Sequence, residues 1–340
     1  MILNGCIPNC RIEAVGGDTD GGVSRGLCLH KPLIGCDNLG CTLLNGINTD
    51  FDELEDDLFI KNKLKVFIAR LDKIHPIISG NKLFKLHYFI EAALKSSHKT
   101  IITYGGAFSN HLLASAYACK LYGIKCIGIV RGERPENLSH TLIQCQEYGM
   151  ELFFIPRDIY RNISQTEIPE FLLPTVREAV VVAEGGYCPQ GAIGASLIMD
   201  KIEKINATHI CAAVGTATTI SGLLMEAKPN QQIIGIPVIK NMKDINERVF
   251  LLTGHRYEPT IFEDYSFGGY AKKTEELISF MNAFYTKHKI PTDFVYTAKM
   301  MYGVMDKIKK GFFPPLSRIV CLHTGGLQGN QSLAKDVLHF

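Results

Sequence analysis

Short apolar stretches alternate with amphipathic stretches from about residue 64 onward. The apolar stretches predict buried strands at residues 64–70, 99–104, 125–130, 151–155, 179–184, 209–214, 232–238 and 318–323. Between them, apolar residues recur at helical spacing and predict helices at residues 83–96, 109–122, 139–148, 192–205, 220–228, 275–288 and 298–310. Strands and helices that alternate in this way are typical of βαβ units. The pattern therefore predicts an α/β fold with mostly parallel sheets.

Three predicted strands end in loops rich in Gly, Ser, Thr or Asn, at residues 105–111, 214–219 and 323–326. Parallel sheets bind ligands at the carboxyl ends of their strands. The second loop opens a helix and suits a phosphate, because amides at a helix N-terminus bind anions. The alternative, that its hydroxyl groups only cap the helix, is open at this point. The candidate phosphate-binding residues are Gly215, Thr216, Ala217, Thr218 and Thr219.

Several common catalytic motifs are absent. The sequence has no G-x-x-x-x-G-K-[ST] loop, no H-E-x-x-H, no G-x-S-x-G and no G-x-G-x-x-G after a strand. P-loop hydrolysis, zincin chemistry, α/β-hydrolase chemistry and the dinucleotide fingerprint are therefore not the leading interpretations. A phosphate site without these motifs favours a phosphorylated cofactor such as pyridoxal 5'-phosphate (PLP), which requires one lysine amine.

Charge and hydropathy exclude further classes of partner. Lys plus Arg number 36 and Asp plus Glu number 34, giving a net charge of +2 that does not predict nucleic-acid binding. No apolar run reaches the ~18 residues needed to span a bilayer, so no membrane association is expected. The first thirty residues lack the pattern of a secretory signal, which predicts a cytoplasmic protein.

The 11 cysteines are an odd number and are interpreted mainly as reduced thiols. Five of them lie in the first 41 residues at spacings that match no paired C-x2-C zinc site, so no metal site is predicted. They are Cys6, Cys10, Cys28, Cys36 and Cys41.

Two segments carry a resemblance to a known family. Residues 78–86 (ISGNKLFKL) and 105–111 (GGAFSNH) resemble the 1-aminocyclopropane-1-carboxylate (ACC) deaminase and D-cysteine desulfhydrase family of PLP enzymes. The resemblance extends from about Lys61 to Gly326 and includes residues 70–72, 184–187, 294–299 and 324–326. It implies fold type II (tryptophan synthase β-like), with two α/β domains and the active site in the cleft between them.

The resemblance also implies roles for individual residues. Lys82 matches the lysine that forms the Schiff base with PLP, whereas Lys85 is interpreted as a solvated or carboxylate-paired lysine. The residues that match catalytic groups are Lys82, Ser109, Tyr296 and Tyr270. The residues that match cofactor contacts are Lys82, Asn81, Asn110, Gly215, Thr216, Ala217, Thr218, Thr219, Thr297 and Thr324. The residues that match substrate contacts are Ser109, Asn110 and His111.

Two positions distinguish the subclasses of this family. ACC deaminases typically place a glutamate directly after the tyrosine matched by Tyr296 and a leucine before the final Gly-Gly. This chain has Thr297 and Thr324, the pattern typical of D-cysteine desulfhydrases. A hydroxyl group near the pyridine nitrogen makes PLP a milder electron acceptor, which suffices for expelling a thiolate.

The predicted function is therefore PLP-dependent elimination from D-cysteine, or a related D-amino acid, to pyruvate, ammonia and sulfide. The alternative is ACC deamination to 2-oxobutanoate and ammonia, and a third possibility is a PLP-binding protein with little turnover. The resemblance further implies a homodimer. The predicted large domain comprises residues 41–85 and 185–340, a smaller inserted α/β domain comprises residues 86–184, and residues 1–40 form an extension without a counterpart.

Overall fold

The computed structural model describes residues 43–44 and 46–340. The five N-terminal cysteines and the predicted extension lie outside the described residues. In chain order the strands are β1 (Phe51–Leu54), β2 (Lys65–Ala69), β3 (Thr100–Gly105), β4 (Lys125–Arg131), β5 (Met150–Ile155), β6 (Val180–Val182), β7 (His209–Val214), β8 (Gln232–Pro237), β9 (Thr260–Ile261) and β10 (Arg318–Leu322).

The helices pack against these strands. They are α1 (Asp57–Lys61), α2 (Asn81–Lys95), α3 (Asn110–Tyr122), α4 (His140–Glu147), α5 (Arg157–Asn162), α6 (Pro189–Ser196), α7 (Ile198–Ile202), α8 (Thr218–Glu226), α9 (Ile245–Thr253), α10 (Glu275–His288) and α11 (Thr297–Lys309). Helix α3 shows how local sequence sets their limits. Ser109 accepts a hydrogen bond from the Leu112 amide at its start, and Gly123 adopts a left-handed conformation at its end.

The strands form two sheets. The larger has the order β1-β2-β10-β7-β8-β9 and the smaller has the order β5-β4-β3-β6. Only the β1–β2 pair is antiparallel among the described strand pairs. The predicted α/β fold with mostly parallel sheets is confirmed.

The two sheets place the three candidate loops. Strands β3 and β7 are buried along their whole length, as expected for central strands covered on both faces. Each leads directly into one of the loops, at residues 105–111 and 214–219. Strand β10 lies next to β7 and leads into residues 323–326. All three loops therefore follow the carboxyl ends of parallel strands.

The observed elements differ from the predicted ones in a few places. The helix predicted at residues 192–205 is divided into α6, α7 and a 3-10 turn, Glu203–Ile205. The break at Leu197 coincides with a close approach, since a Cβ on Gly194 would lie 2.3 Å from the Phe84 carbonyl oxygen. The short elements β1, α1, α5 and β9 were not predicted, because their few residues carry little periodicity. Helix α9 was also not predicted, although it has nine residues.

The order of the strands does not determine the exact residues at which the predicted domains begin and end. Strands β3 to β6 all lie within residues 86–184, and the other strands lie outside that range. Helix α2 crosses the boundary at residue 86. The division at residues 85/86 and 184/185 therefore stays a prediction.

Five of the described cysteines are buried free thiols: Cys119, Cys126, Cys145, Cys211 and Cys321. Cys188 is also buried. No helix in the described part of the chain is both long and apolar enough to cross a membrane.

Candidate active site

The lysine motif lies against the end of β10. Gly80 precedes α2 with φ +68°, and a Cβ at this position would lie 1.9 Å from the Thr324 carbonyl oxygen. Only glycine combines this backbone conformation with so close an approach. The contact places Lys82, in the first turn of α2, beside the third candidate loop.

The amine of Lys82 is partly buried among polar and aromatic groups. Its Nζ donates to Asn81 Oδ1 at 2.7 Å and lies 5.8 Å from the centre of the Tyr296 ring. Burial lowers the pKa of Lys82 to about 8, although the negative charge of Asp293 opposes this shift. About a tenth of the amine is therefore unprotonated at pH 7, far more than for an ordinary lysine, and a nucleophilic lysine requires the unprotonated form.

The Ser109 loop of the small sheet approaches the same region. Asn110 Oδ1 accepts a hydrogen bond from Gln328 Nε2 at 2.7 Å. A Cβ on Gly326 would lie 2.8 Å from Asn110 Nδ2. The loop after β3 and the loop after β10 therefore meet across the space between the two sheets.

His111 lies in the buried wall of this region. The Thr103 hydroxyl group donates to the Val182 carbonyl, so His111 Nε2 donates to Thr103 Oγ1 at 2.9 Å. Burial and the nearby Lys85 and Lys82 lower the pKa of His111 to about 3. The ring is therefore neutral at physiological pH. Its Nδ1 is a buried acceptor without a partner among the described residues, and its substrate contact stays a prediction.

The predicted phosphate loop forms the N-terminus of α8. Ala217 adopts φ +68° immediately before the helix, and the Thr216 and Thr218 hydroxyl oxygens lie 2.8 Å apart. Asn81 Nδ2 donates to Thr219 Oγ1 at 2.7 Å, which joins the loop to the lysine motif. The first amides of a helix have no acceptor inside it and can bind an anion.

Lys85 differs from its interpretation as a solvated or carboxylate-paired lysine. It is buried, and its Nζ donates to the Gly185 carbonyl oxygen at 3.1 Å. Burial and the neighbouring Lys82 hold the pKa of Lys85 well below its usual range. A Cβ on Gly185 would lie 2.9 Å from Thr216 Cγ2, so Lys85 lies beside the phosphate loop. Its position one helical turn after Lys82 puts both amines on one face of α2.

Tyr296 lies near Lys82 and packs against a second tyrosine, Tyr270. Their ring centres are 6.0 Å apart at an angle of 73°. Tyr296 is adjacent to the phosphate loop, because a Cβ on Gly215 would lie 3.3 Å from its Cε1 atom. Burial raises the pKa of both Tyr296 and Tyr270. Both hydroxyl groups therefore stay protonated at neutral pH and can donate hydrogen bonds.

The two threonines predicted near the pyridine nitrogen have different surroundings. Thr297 is fully buried, and its hydroxyl group donates to Asp293 Oδ1 at 2.6 Å. Asp293 also accepts hydrogen bonds from the amides of Val295, Tyr296 and Thr297. The hydroxyl proton of Thr297 is thus already engaged, which leaves Thr324 as the better candidate donor to a ring nitrogen.

Sequence reasoning missed three polar residues of the site. They are Asp293, Lys299 and Gln328. Asp293 lies three residues before the N-cap, Tyr296, so the usual N-cap position does not identify it. Nothing in the local sequence identifies Gln328 as the partner of Asn110, because 218 positions separate the two.

The arrangement fits PLP. Lys82 supplies an amine with a lowered pKa, and the N-terminus of α8 supplies amides for a phosphate. Lys85 supplies a second buried amine beside that loop, and Thr324 supplies a hydroxyl group. These groups come from α2, from the start of α8 and from the loop after β10.

Comparisons with known proteins agree with this assignment. The family model described as pyridoxal-phosphate dependent enzyme matches residues 56–325. A protein of Pyrococcus abyssi named "Putative 1-aminocyclopropane-1-carboxylate deaminase" is 28% identical over 294 residues, covering 80% of this chain and 88% of the relative. The D-cysteine desulfhydrase of Klebsiella pneumoniae is 26% identical over 284 residues, covering 77% of this chain and 87% of the relative.

A solved structure described as an ACC deaminase homologue superimposes with a TM-score of 0.67 at 25% identity, covering 85% of this chain and 94% of that chain. The match confirms the predicted fold type II architecture. The chain belongs to the family of pyridoxal-phosphate dependent enzymes.

Proposed function

We propose that this enzyme eliminates the β-substituent of D-cysteine or a related D-amino acid, giving pyruvate, ammonia and sulfide from D-cysteine. The observation that carries the proposal is the surroundings of Thr324, Thr297 and Asp293. The Asp293 carboxylate already accepts four hydrogen bonds, from three amides and the Thr297 hydroxyl group. The group available to the pyridine nitrogen is then a hydroxyl group.

A hydroxyl group does not stabilise a positive charge on the ring nitrogen as a carboxylate does. When bound, PLP accepts the electrons released as a bond at the substrate Cα breaks. A thiolate is a good leaving group and needs only a mild electron acceptor. Opening the ring of ACC, whose Cα carries no hydrogen, is more demanding.

The chain's own residues then bind the substrate and move protons. Lys82 Nζ, with its lowered pKa, takes the proton from Cα. The Ser109 hydroxyl group and the free amides at the start of α3 bind the substrate carboxylate. The Tyr296 and Tyr270 hydroxyl groups remain protonated and donate to the departing sulfur.

ACC deamination is the second candidate. The relatives named as ACC deaminases support it. Both reactions use Lys82, so this residue does not distinguish them.

The test uses the purified holoenzyme with D-cysteine, L-cysteine, D-serine and ACC in parallel. We expect sulfide and pyruvate from D-cysteine, together with a shift in the absorption band of lysine-bound PLP. Lys82→Ala should abolish turnover and that band, whereas Lys95→Ala, on the exposed end of the same helix, should change neither. Turnover of ACC to 2-oxobutanoate without sulfide from D-cysteine would reverse the order of the two candidates. A bound cofactor with no turnover of any substrate would favour the PLP-binding protein.

We also propose a cytoplasmic homodimer without nucleic-acid or membrane partners. Five of the described cysteines, Cys119, Cys126, Cys145, Cys211 and Cys321, are free thiols, which suits a reducing compartment. The resemblance to the family supports the dimer. Light scattering of the holoenzyme after size-exclusion chromatography tests whether the protein is a dimer, and the mass of a monomer would contradict the proposal.

A further inference from the structure

Lys299 is a fully buried lysine for which the proposed reaction has no direct use. It lies in the first turn of α11, three residues after Tyr296, and has no solvent exposure. Its Nζ donates to the Ser266 carbonyl oxygen at 2.8 Å and to the Gly269 carbonyl oxygen at 2.7 Å. Both acceptors belong to the loop that carries Tyr270.

The same two carbonyl groups also close two consecutive turns of that loop. Ser266 O accepts from the Gly269 amide at 3.0 Å, and Gly269 O accepts from the Lys272 amide at 3.1 Å. Lys299 therefore joins the two turns to each other and to α11. Tyr270 lies inside the second turn, directly after Gly269.

The loop has an unfavourable backbone of its own. Phe267 and Ala271 adopt φ +49° and +53°, and Gly268 and Gly269 adopt +87° and +115°. A non-glycine residue adopts this region only at a cost in conformational free energy. Tyr270 itself is 46% exposed, so packing of its ring alone does not fix the loop. External hydrogen bonds are needed to maintain this conformation.

Burial of a lysine without a carboxylate partner is costly as well. No ion pair joins Lys299 to an acidic residue in the part of the chain that the structure describes. Burial lowers the pKa of Lys299 to about 8, with the charge of Asp293 opposing the shift. An apolar side chain would fill the same space without this cost. Compared with an apolar side chain, Lys299 provides the two hydrogen bonds to the Ser266 and Gly269 carbonyl groups.

We propose that Lys299 is a positioning residue whose amine holds the 266–272 double turn and so fixes the Tyr270 hydroxyl group beside Tyr296 in the active site. The proposal rests on the proposed function, in which Tyr270 faces the substrate. Lys299 acts through Tyr270 and touches neither substrate nor cofactor.

The first test is a double-mutant cycle on the holoenzyme. Lys299→Met keeps the length of the side chain but cannot donate a hydrogen bond. We expect kcat/KM to fall about 10-fold to 100-fold, with the absorption band of bound PLP retained. In a Tyr270→Phe background, the same change should cost less than about 2-fold, because both substitutions remove one function. An equal loss in both backgrounds would overturn the proposal.

The matched control is Lys240→Met. Lys240 is an exposed lysine beside the same loop, since a Cβ on Gly269 would lie 3.4 Å from its Cβ. This variant should keep the kcat/KM of the wild type. A loss equal to that of Lys299→Met would show that any lysine near the loop has the same effect, which contradicts the proposal.

Hydrogen exchange gives a readout that does not depend on turnover. The amides of Gly269 and Lys272 should exchange faster in Lys299→Met, whereas those in the middle of α11 should not change. If Lys299→Met fails to fold, Lys299→Gln, which retains a donor, is measured in the same way and should show intermediate exchange. Unchanged exchange would overturn the proposal. If the wild type turns over no substrate but the Gly269 and Lys272 amides exchange faster in Lys299→Met, the proposed function is wrong. The role of Lys299 in holding the 266–272 double turn is then still supported.

Discussion

In the proposed function, the Ser109 hydroxyl group has both a structural and a chemical role. Its oxygen accepts from the Leu112 amide at 3.2 Å and so caps α3, and the same group is proposed to bind the substrate carboxylate. Ser109→Ala should lower the free energy of unfolding by about 1 kcal/mol through the lost cap. It should also lower kcat/KM about 100-fold, because the substrate loses a hydrogen-bonding partner. Urea unfolding and steady-state kinetics measure the two effects.

The control for Ser109 is a cap outside the active site. Thr274 accepts from the Leu277 amide at the same distance, 3.2 Å, at the start of α10. Thr274→Ala should lose similar stability and keep full kcat/KM. If Ser109→Ala keeps its activity as well, Ser109 is only a cap.

His111 should make the protein sensitive to acid. Its pKa in the folded protein is about 3, against 6.5 in the unfolded chain. The unfolded chain therefore binds more protons between these values, and stability falls as the pH decreases through this range. Its share of the loss between pH 7 and pH 5 is about 2 kcal/mol. Urea unfolding of wild type and His111→Gln at both pH values measures this share, which the variant should lack. An equal loss in both proteins would contradict this assignment.

The limits of sequence reasoning also show at the residue scale. Lys82, Asn81 and Thr219 belong to predicted motifs, and the structure joins them by hydrogen bonds. The interpretation of Lys85 was wrong, because nothing in the local pattern showed that Gly185, 100 positions away, would cover it. Contacts between distant segments are what a single sequence does not provide.

At the scale of elements, periodicity predicted the long, buried strands and helices well. Strands β3 and β7 and helices α3 and α10 lie within one or two residues of their predicted limits. Short elements such as β9, with two residues, carry too little pattern. The break between α6 and α7 coincides with the close approach of Gly194 to α2, which is a contact between distant segments.

The start of α2 depends on the absence of a side chain at Gly80. Gly80→Ala should destabilise the protein by about 3 kcal/mol or more, or displace Lys82, because Cβ would overlap the Thr324 carbonyl group. Gly123→Ala is the matched control, with φ +63° and no atom within 4 Å of the new Cβ. It should cost only about 1 kcal/mol. Thermal unfolding and cofactor absorbance compare the two variants, and equal effects would contradict the role of the close approach.

For the whole molecule, three buried amines predict an alkaline gain in stability of the cofactor-free protein. Burial lowers the pKa of Lys82 and Lys299 to about 8 and that of Lys85 well below 10.5. From pH 8 to about 10 the unfolded chain holds protons that the folded protein has released, so stability rises with pH. Above pH 10, tyrosines such as Tyr104, with a pKa of about 12, reverse the sign.

Urea unfolding of the cofactor-free protein at several pH values measures this gain. Cofactor-free Lys82→Met should show a smaller rise, because one of the three amines is absent. A midpoint that falls between pH 8 and pH 10 would show that other groups dominate.

The strand order of the large sheet has a consequence for synthesis on the ribosome. Strand β10 pairs with β2 on one side and β7 on the other, so the last strand in the described chain lies inside the sheet. The small sheet draws on one continuous stretch and can form while translation continues. The site around Lys82 includes Thr324, which follows β10. It is therefore completed only after β10 has emerged from the ribosome. We therefore expect that a nascent chain truncated before β10 does not retain PLP. Binding of the cofactor would then show that β10 has been synthesised.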